Sequence, residues 1–146
     1  MRYLILVLML GLCTYTDIKG RYVKVLPVAG FGILGLVLGL MTKEISVSSM
    51  VAGLLTGAGI LIFSILSKDK IGKGDALIIA VMGVYLGVWD TMSVLFVASV
   101  LGGIFGMIFI KRNGKDMGYE LPFAPFLLFG LTLMIMTASV SSLVMA

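Results

Sequence analysis

A chain of 146 residues is long enough for one ordinary domain, but 60% of its residues are hydrophobic, only 12% are charged and its mean hydropathy is +1.19. That balance excludes a typical soluble globular protein and marks an all-α, integral membrane protein. With no His and a lone Cys13 the chain has neither a usual zinc set nor an internal disulfide, so no metal or other cofactor is expected, and the +4 net charge is small.

A hydrocarbon core of about 30 Å takes about 20 helical residues. On that measure the apolar runs predict six transmembrane helices, over 1–18, 25–42, 47–67, 74–90, 91–111 and 122–145. Arg2 before "YLILVLMLGLC" imitates a signal peptide. No small-x-small cleavage site follows it, and the bulky Leu12 ill suits a lipid-modified Cys13, so the run reads as a retained first helix in which Cys13 packs.

The breaks between helices are "DIKGRYVK", "TKEIS", "SKDKIGKG", "WDT" and "KRNGKDMGYE". None has room for a soluble domain, so 1–146 reads as a single transmembrane domain. Six spans place alternate breaks on opposite sides. Lys19, Arg21, Lys24, Lys68, Lys70, Lys73, Lys111, Arg112 and Lys115 then share one side, and Arg2 and Lys43 the other. By the positive-inside rule the first set is cytoplasmic and both termini are extracytoplasmic. The excess of basic residues is accounted for by topology, and nucleic acid is not an expected partner; the bilayer is. The pairs Gly35/Gly39, Gly53/Gly57, Gly83/Gly87 and Gly102/Gly106 predict close approach of helix backbones.

Of the seven acids, Glu44 and Asp90 fall in outward breaks, and Asp69 and Asp116 lie beside lysines as solvated charges. Asp17 and Asp75 differ. Each lies so near one end of a short apolar run that the helix must place it at or inside the cytoplasmic boundary. A carboxylate there is costly unless protonated, paired or hydrated. One reading pairs Asp17 with Arg21 and Asp75 with Lys73 at the interface. The other brings the two acids together, where they do not both ionise readily, so that one holds a proton while its partner takes one from water. Such a pair can hydrolyse a peptide bond without metal or covalent intermediate. In "GKGD", Gly72 and Gly74 remove side chains beside the acid and permit positive φ, letting a substrate backbone approach.

These motifs resemble those of the type IV prepilin peptidases, GxGD membrane aspartyl proteases. "DIKGRYV" stands where that family carries its first Asp, "GKGD" matches its second, and "ELPFAPFLLFG" is similar to its Pro-Phe-Gly-Pro-Phe segment, with Ala124 where glycine is usual. The resemblance implies an aspartic endopeptidase with Asp17 and Asp75 as catalytic pair, and Gly72, Lys73, Gly74 and Glu120 as candidate contacts to substrate. It implies cleavage of the basic leader of a prepilin-like or preflagellin-like substrate, whose hydrophobic helix stays in the bilayer. The site would face the cytoplasm from the inner membrane. Pro122, Phe123 and Pro125 would fix the entry to the last helix. Relatives carry Ile-Pro-Asn after the first Asp, whereas Lys24 follows Val23 here. The cysteine-bearing domain associated with N-methylation has no counterpart, so the chain resembles the short, peptidase-only branch. The alternative of another class is a non-enzymatic bundle subunit of a secretion or transport assembly, with both acids binding cations or pairing with lysines.

Overall fold

The computed structural model describes residues 2–20, 25–43, 45–66, 72–113 and 122–144. Every regular element among them is helical: α1 (Arg2–Gly20), α2 (Val25–Thr42), α3 (Val47–Leu66), α4 (Lys73–Leu86), α5 (Val88–Asn113) and α6 (Ala124–Val144). Arg21, Lys24, Glu44, Lys68, Asp69, Lys70, Lys115, Asp116 and Glu120, all named above, lie outside the described residues.

The surface is that of a membrane protein. Leu26, Met41, Leu66, Phe96, Met107 and Met136 are each more than two-thirds exposed, which a water-facing bundle would bury. Several hydroxyls on the helices bond back to their own backbone, as suits a lipid setting: Thr56 Oγ1 donates to Ala52 O at 3.0 Å and Ser93 Oγ to Trp89 O at 3.0 Å.

By length and composition α1, α2, α3 and Val88–Phe109 of α5 can cross a membrane, while the shorter apolar stretch Ala124–Val140 belongs to α6. The protein is therefore an all-α membrane protein, with four helices that meet the full spanning criterion among the described residues. The remaining helix, α4, has 14 residues, about 21 Å of axis. It has little need to match the bilayer, because it is the centre of the bundle. Ala76, Ile78, Ile79 and every residue from Val81 to Leu86 are buried, against α3, α2, α5 and α1.

Glycine makes this centre possible. At Gly53 and Gly83 the backbones of α3 and α4 meet directly, and an added Cβ on either would fall on the other's carbonyl group. Gly57 sits in the same way against Ala80. The expectation of backbone approach holds for this pair of helices. Elsewhere side chains fill the space: the ring of Tyr85 lies over Gly35, with its hydroxyl donating to Phe31 O at 2.8 Å, and the end of Met50 covers Gly39. At Gly102 an added Cβ would make only ordinary contact with Phe126 and Phe123.

The break before α5 is not at Trp89-Asp90-Thr91. Those residues form its first turns, with Thr91 N–H donating to Gly87 O at 3.3 Å. The chain turns at Gly87, whose φ of 79° lies in the left-handed region that a residue without Cβ enters freely. Its N–H closes α4 on Gly83 O at 2.8 Å, and Val88 N–H donates to Ser49 Oγ at 3.4 Å. Asp90 thus occupies the N-terminal turn of α5, where an acid complements the helix dipole.

Candidate active site

α1 continues a turn past Asp17 before ending at Gly20, as the depth argument requires. Its buried stripe is Leu6, Met9, Leu10, Cys13 and Asp17, spaced by three and four residues, so the carboxylate shares the face that packs into the bundle. Asp17 is 8% exposed. Buried acids need donors, and this one finds them on another helix: the Ala124 N–H donates to Asp17 Oδ2 at 3.2 Å, and the neighbouring Phe123 N–H interacts with the same carboxylate.

Those donors exist because α6 begins there. Phe123 O accepts from Phe126 N–H at 3.0 Å and Leu127 N–H at 3.3 Å, closing the first turn and leaving the leading N–H groups without partners in their own helix. Pro125 loses nothing at such a position, since its missing N–H would have been spare. Asp17 serves α6 as an N-cap residue usually does, but from a distant part of the chain.

Asp75 lies in the first turn of α4. Gly72 precedes that helix, and its carbonyl accepts from Asp75 N–H at 3.0 Å and Ala76 N–H at 3.3 Å. The expected use of positive φ in "GKGD" is not found. Gly72 has φ −59° and ψ 127°, ordinary values for any residue, and Gly74 is helical. What Gly72 supplies is room: a Cβ there would lie 2.9 Å from Asp75 Oδ2. Lys73 opens α4 and is exposed, while Gly74 is half-buried.

The fold brings the two acids to one end of the bundle, where Asp17 and Asp75 lie within electrostatic reach of each other and Cys13, one turn below Asp17, within reach of both. An aspartate that merely capped α6 would not need a second carboxyl within electrostatic reach, and two like charges at such range cost energy in a place of low polarity. Chemically the arrangement offers an anchored carboxylate, a second carboxyl and a glycine, Gly72, closely packed against the latter. Glu120 lies outside the described residues.

The reading of residues alone missed the partnership of Asp17 with the start of α6. Its signal was present in Pro122 and Pro125, which mark a helix start and hence spare N–H groups. It also read Cys13 as packing only; the i, i+4 spacing from Asp17 places the thiol beside the acids.

A family model described as the type IV leader peptidase family matches residues 4–107, which include both acids and "GKGD". A prepilin leader peptidase/N-methyltransferase of Legionella pneumophila is 38% identical over 60 residues, 41% of this chain and 21% of that protein. Another prepilin leader peptidase/N-methyltransferase, from Xanthomonas campestris pv. campestris, is 28% identical over 60 residues with the same shares. The match thus spans about one-fifth of the length of these curated relatives. No solved structure matches the chain significantly.

Proposed function

Because the chain belongs to the type IV leader peptidase family, we propose that it is a membrane aspartic endopeptidase that removes the basic leader of a prepilin-like or preflagellin-like substrate. The observation that supports this reading is that Asp17 and Asp75 lie within electrostatic reach of each other at one end of the bundle. In the proposed topology six helices cross the inner membrane, both termini are extracytoplasmic and the two acids face the cytoplasm. The basic residues of the chain favour that orientation.

The chemistry follows from two carboxyls sharing a proton. The ionised member takes a proton from water, whose oxygen bonds to the scissile carbonyl carbon, while the protonated member gives its proton to the carbonyl oxygen. Transfer of a proton to the amide nitrogen then lets the C–N bond break, releasing the leader as an acid and the mature chain as an amine. Gly72 and Gly74 leave the opening through which the substrate backbone reaches Asp75. Lys73 and Glu120 stand as contacts to the substrate segment outside the bilayer.

The test is cleavage of a co-expressed prepilin, followed by its change in mass, for the wild type and for Asp17→Asn and Asp75→Asn. Asparagine keeps the size and removes the acid–base function. Loss of cleavage in both variants at normal membrane levels is the expected result. Cleavage surviving in either would remove that residue from the chemistry, and survival in both would favour a non-enzymatic subunit.

A further inference from the structure

The bond between Ala124 N–H and Asp17 Oδ2 joins the first turn of α6 to one half of the pair. Among the described residues no hydrogen-bond donor holds the Asp75 carboxyl in this way. Its Oδ2 instead lies against Gly72, 2.9 Å from where a Cβ on that residue would stand. Asp17 is therefore the member of the pair that a backbone donor from another helix holds.

We infer that the start of α6 is a positioning element of the catalytic pair: the backbone N–H of Ala124, supported by that of Phe123, orients the Asp17 carboxylate toward Asp75 and the substrate. This rests on the reading of Asp17 as catalytic. It gives "PFAP" a specific task. Pro125 sits where helix geometry tolerates it, the non-helical Phe123 turns the chain, and Ala124, fully buried, delivers its N–H to the acid. The side chain of residue 124 is then secondary, and its amide hydrogen is what matters.

Position 124 permits a clean deletion of that hydrogen. Proline is accepted in the first turn of a helix and asks the preceding residue to be non-helical, which Phe123 already is. Ala124→Pro thus removes the donor with little cost to α6 itself, and Ala124→Gly keeps it. Because the proline ring adds atoms at a buried site, a third variant replaces Ala124 with lactic acid by nonsense suppression, exchanging amide for ester without adding bulk.

Kinetics of prepilin cleavage in detergent, with membrane abundance and thermal stability, read the outcome. Both donor-deleted proteins should lose about tenfold to a hundredfold in kcat, the span of a hydrogen bond to a charged group. KM should stay within about twofold of the wild type, and Ala124→Gly should restore most of the rate. A wild-type kcat in the ester variant would overturn the inference. So would an equal loss in Ala124→Gly, which would make the effect one of packing. If Asp17→Asn still cleaves, the catalytic reading of Asp17 falls instead, and the two failures are told apart.

Discussion

Gly72→Ala separates space from conformation at the head of α4. The backbone of Gly72, at φ −59° and ψ 127°, suits alanine as well as glycine, so the substitution carries no strain and narrows the unfolded ensemble, adding about 0.4–1 kcal/mol of stability. The new Cβ, however, would stand 2.9 Å from Asp75 Oδ2, where ordinary contact begins near 3.4 Å. The carboxyl must retreat by about 0.5 Å, half of a displacement that can cost a hundredfold in rate, so a loss of about tenfold is expected. The assay is prepilin cleavage under single-turnover conditions, paired with thermal unfolding in the same detergent. The expected result is a protein at least as stable as the wild type that cuts about ten times more slowly. Wild-type cleavage would refute the reasoning, for it would mean that the position of Asp75 beside Gly72 is not the productive one. A slow enzyme that is also unstable would refute it differently, by placing the role of Gly72 in folding.

Two further substitutions test the framework around the acids. Gly83→Ala sets a methyl group against the backbone of Gly53, where no flexible side chain can yield; a loss of at least about 1–3 kcal/mol is expected from overpacking, read as reduced resistance to unfolding in mixed micelles. Tyr85→Phe removes the bond to Phe31 O while keeping the ring over Gly35, and should cost about 0.5–1.5 kcal/mol by the same measure with cleavage unchanged.

Hydropathy located the helices well because lipid leaves the backbone few alternatives. It misplaced the break before α5, since a polar Trp-Asp-Thr looks like a turn while the actual turn, at Gly87, is conformational and lies inside an apolar run. That Asp17 and Asp75 differ from the other acids was legible in their cost at that depth, and the structure places Asp17 among the buried residues, within electrostatic reach of Asp75. The work of the glycines was legible only as small size: φ was invoked at Gly72 and Gly74, and the left-handed glycine is Gly87. Least legible was the donor to Asp17, because a backbone N–H is common to nearly every residue and only the entry of α6 makes this one available.

The enclosure of α4 bears on how such a site would tolerate changing lipids. A helix in contact with acyl chains answers hydrophobic mismatch by tilting or by deforming the bilayer. That adjustment falls to the outer helices, whose apolar faces are exposed, while α4 is gripped through the contact of Gly53 with Gly83. The position of Asp75 is therefore referenced to protein, not to membrane thickness, while α1, which carries Asp17, is tied to it through the bundle and through the start of α6.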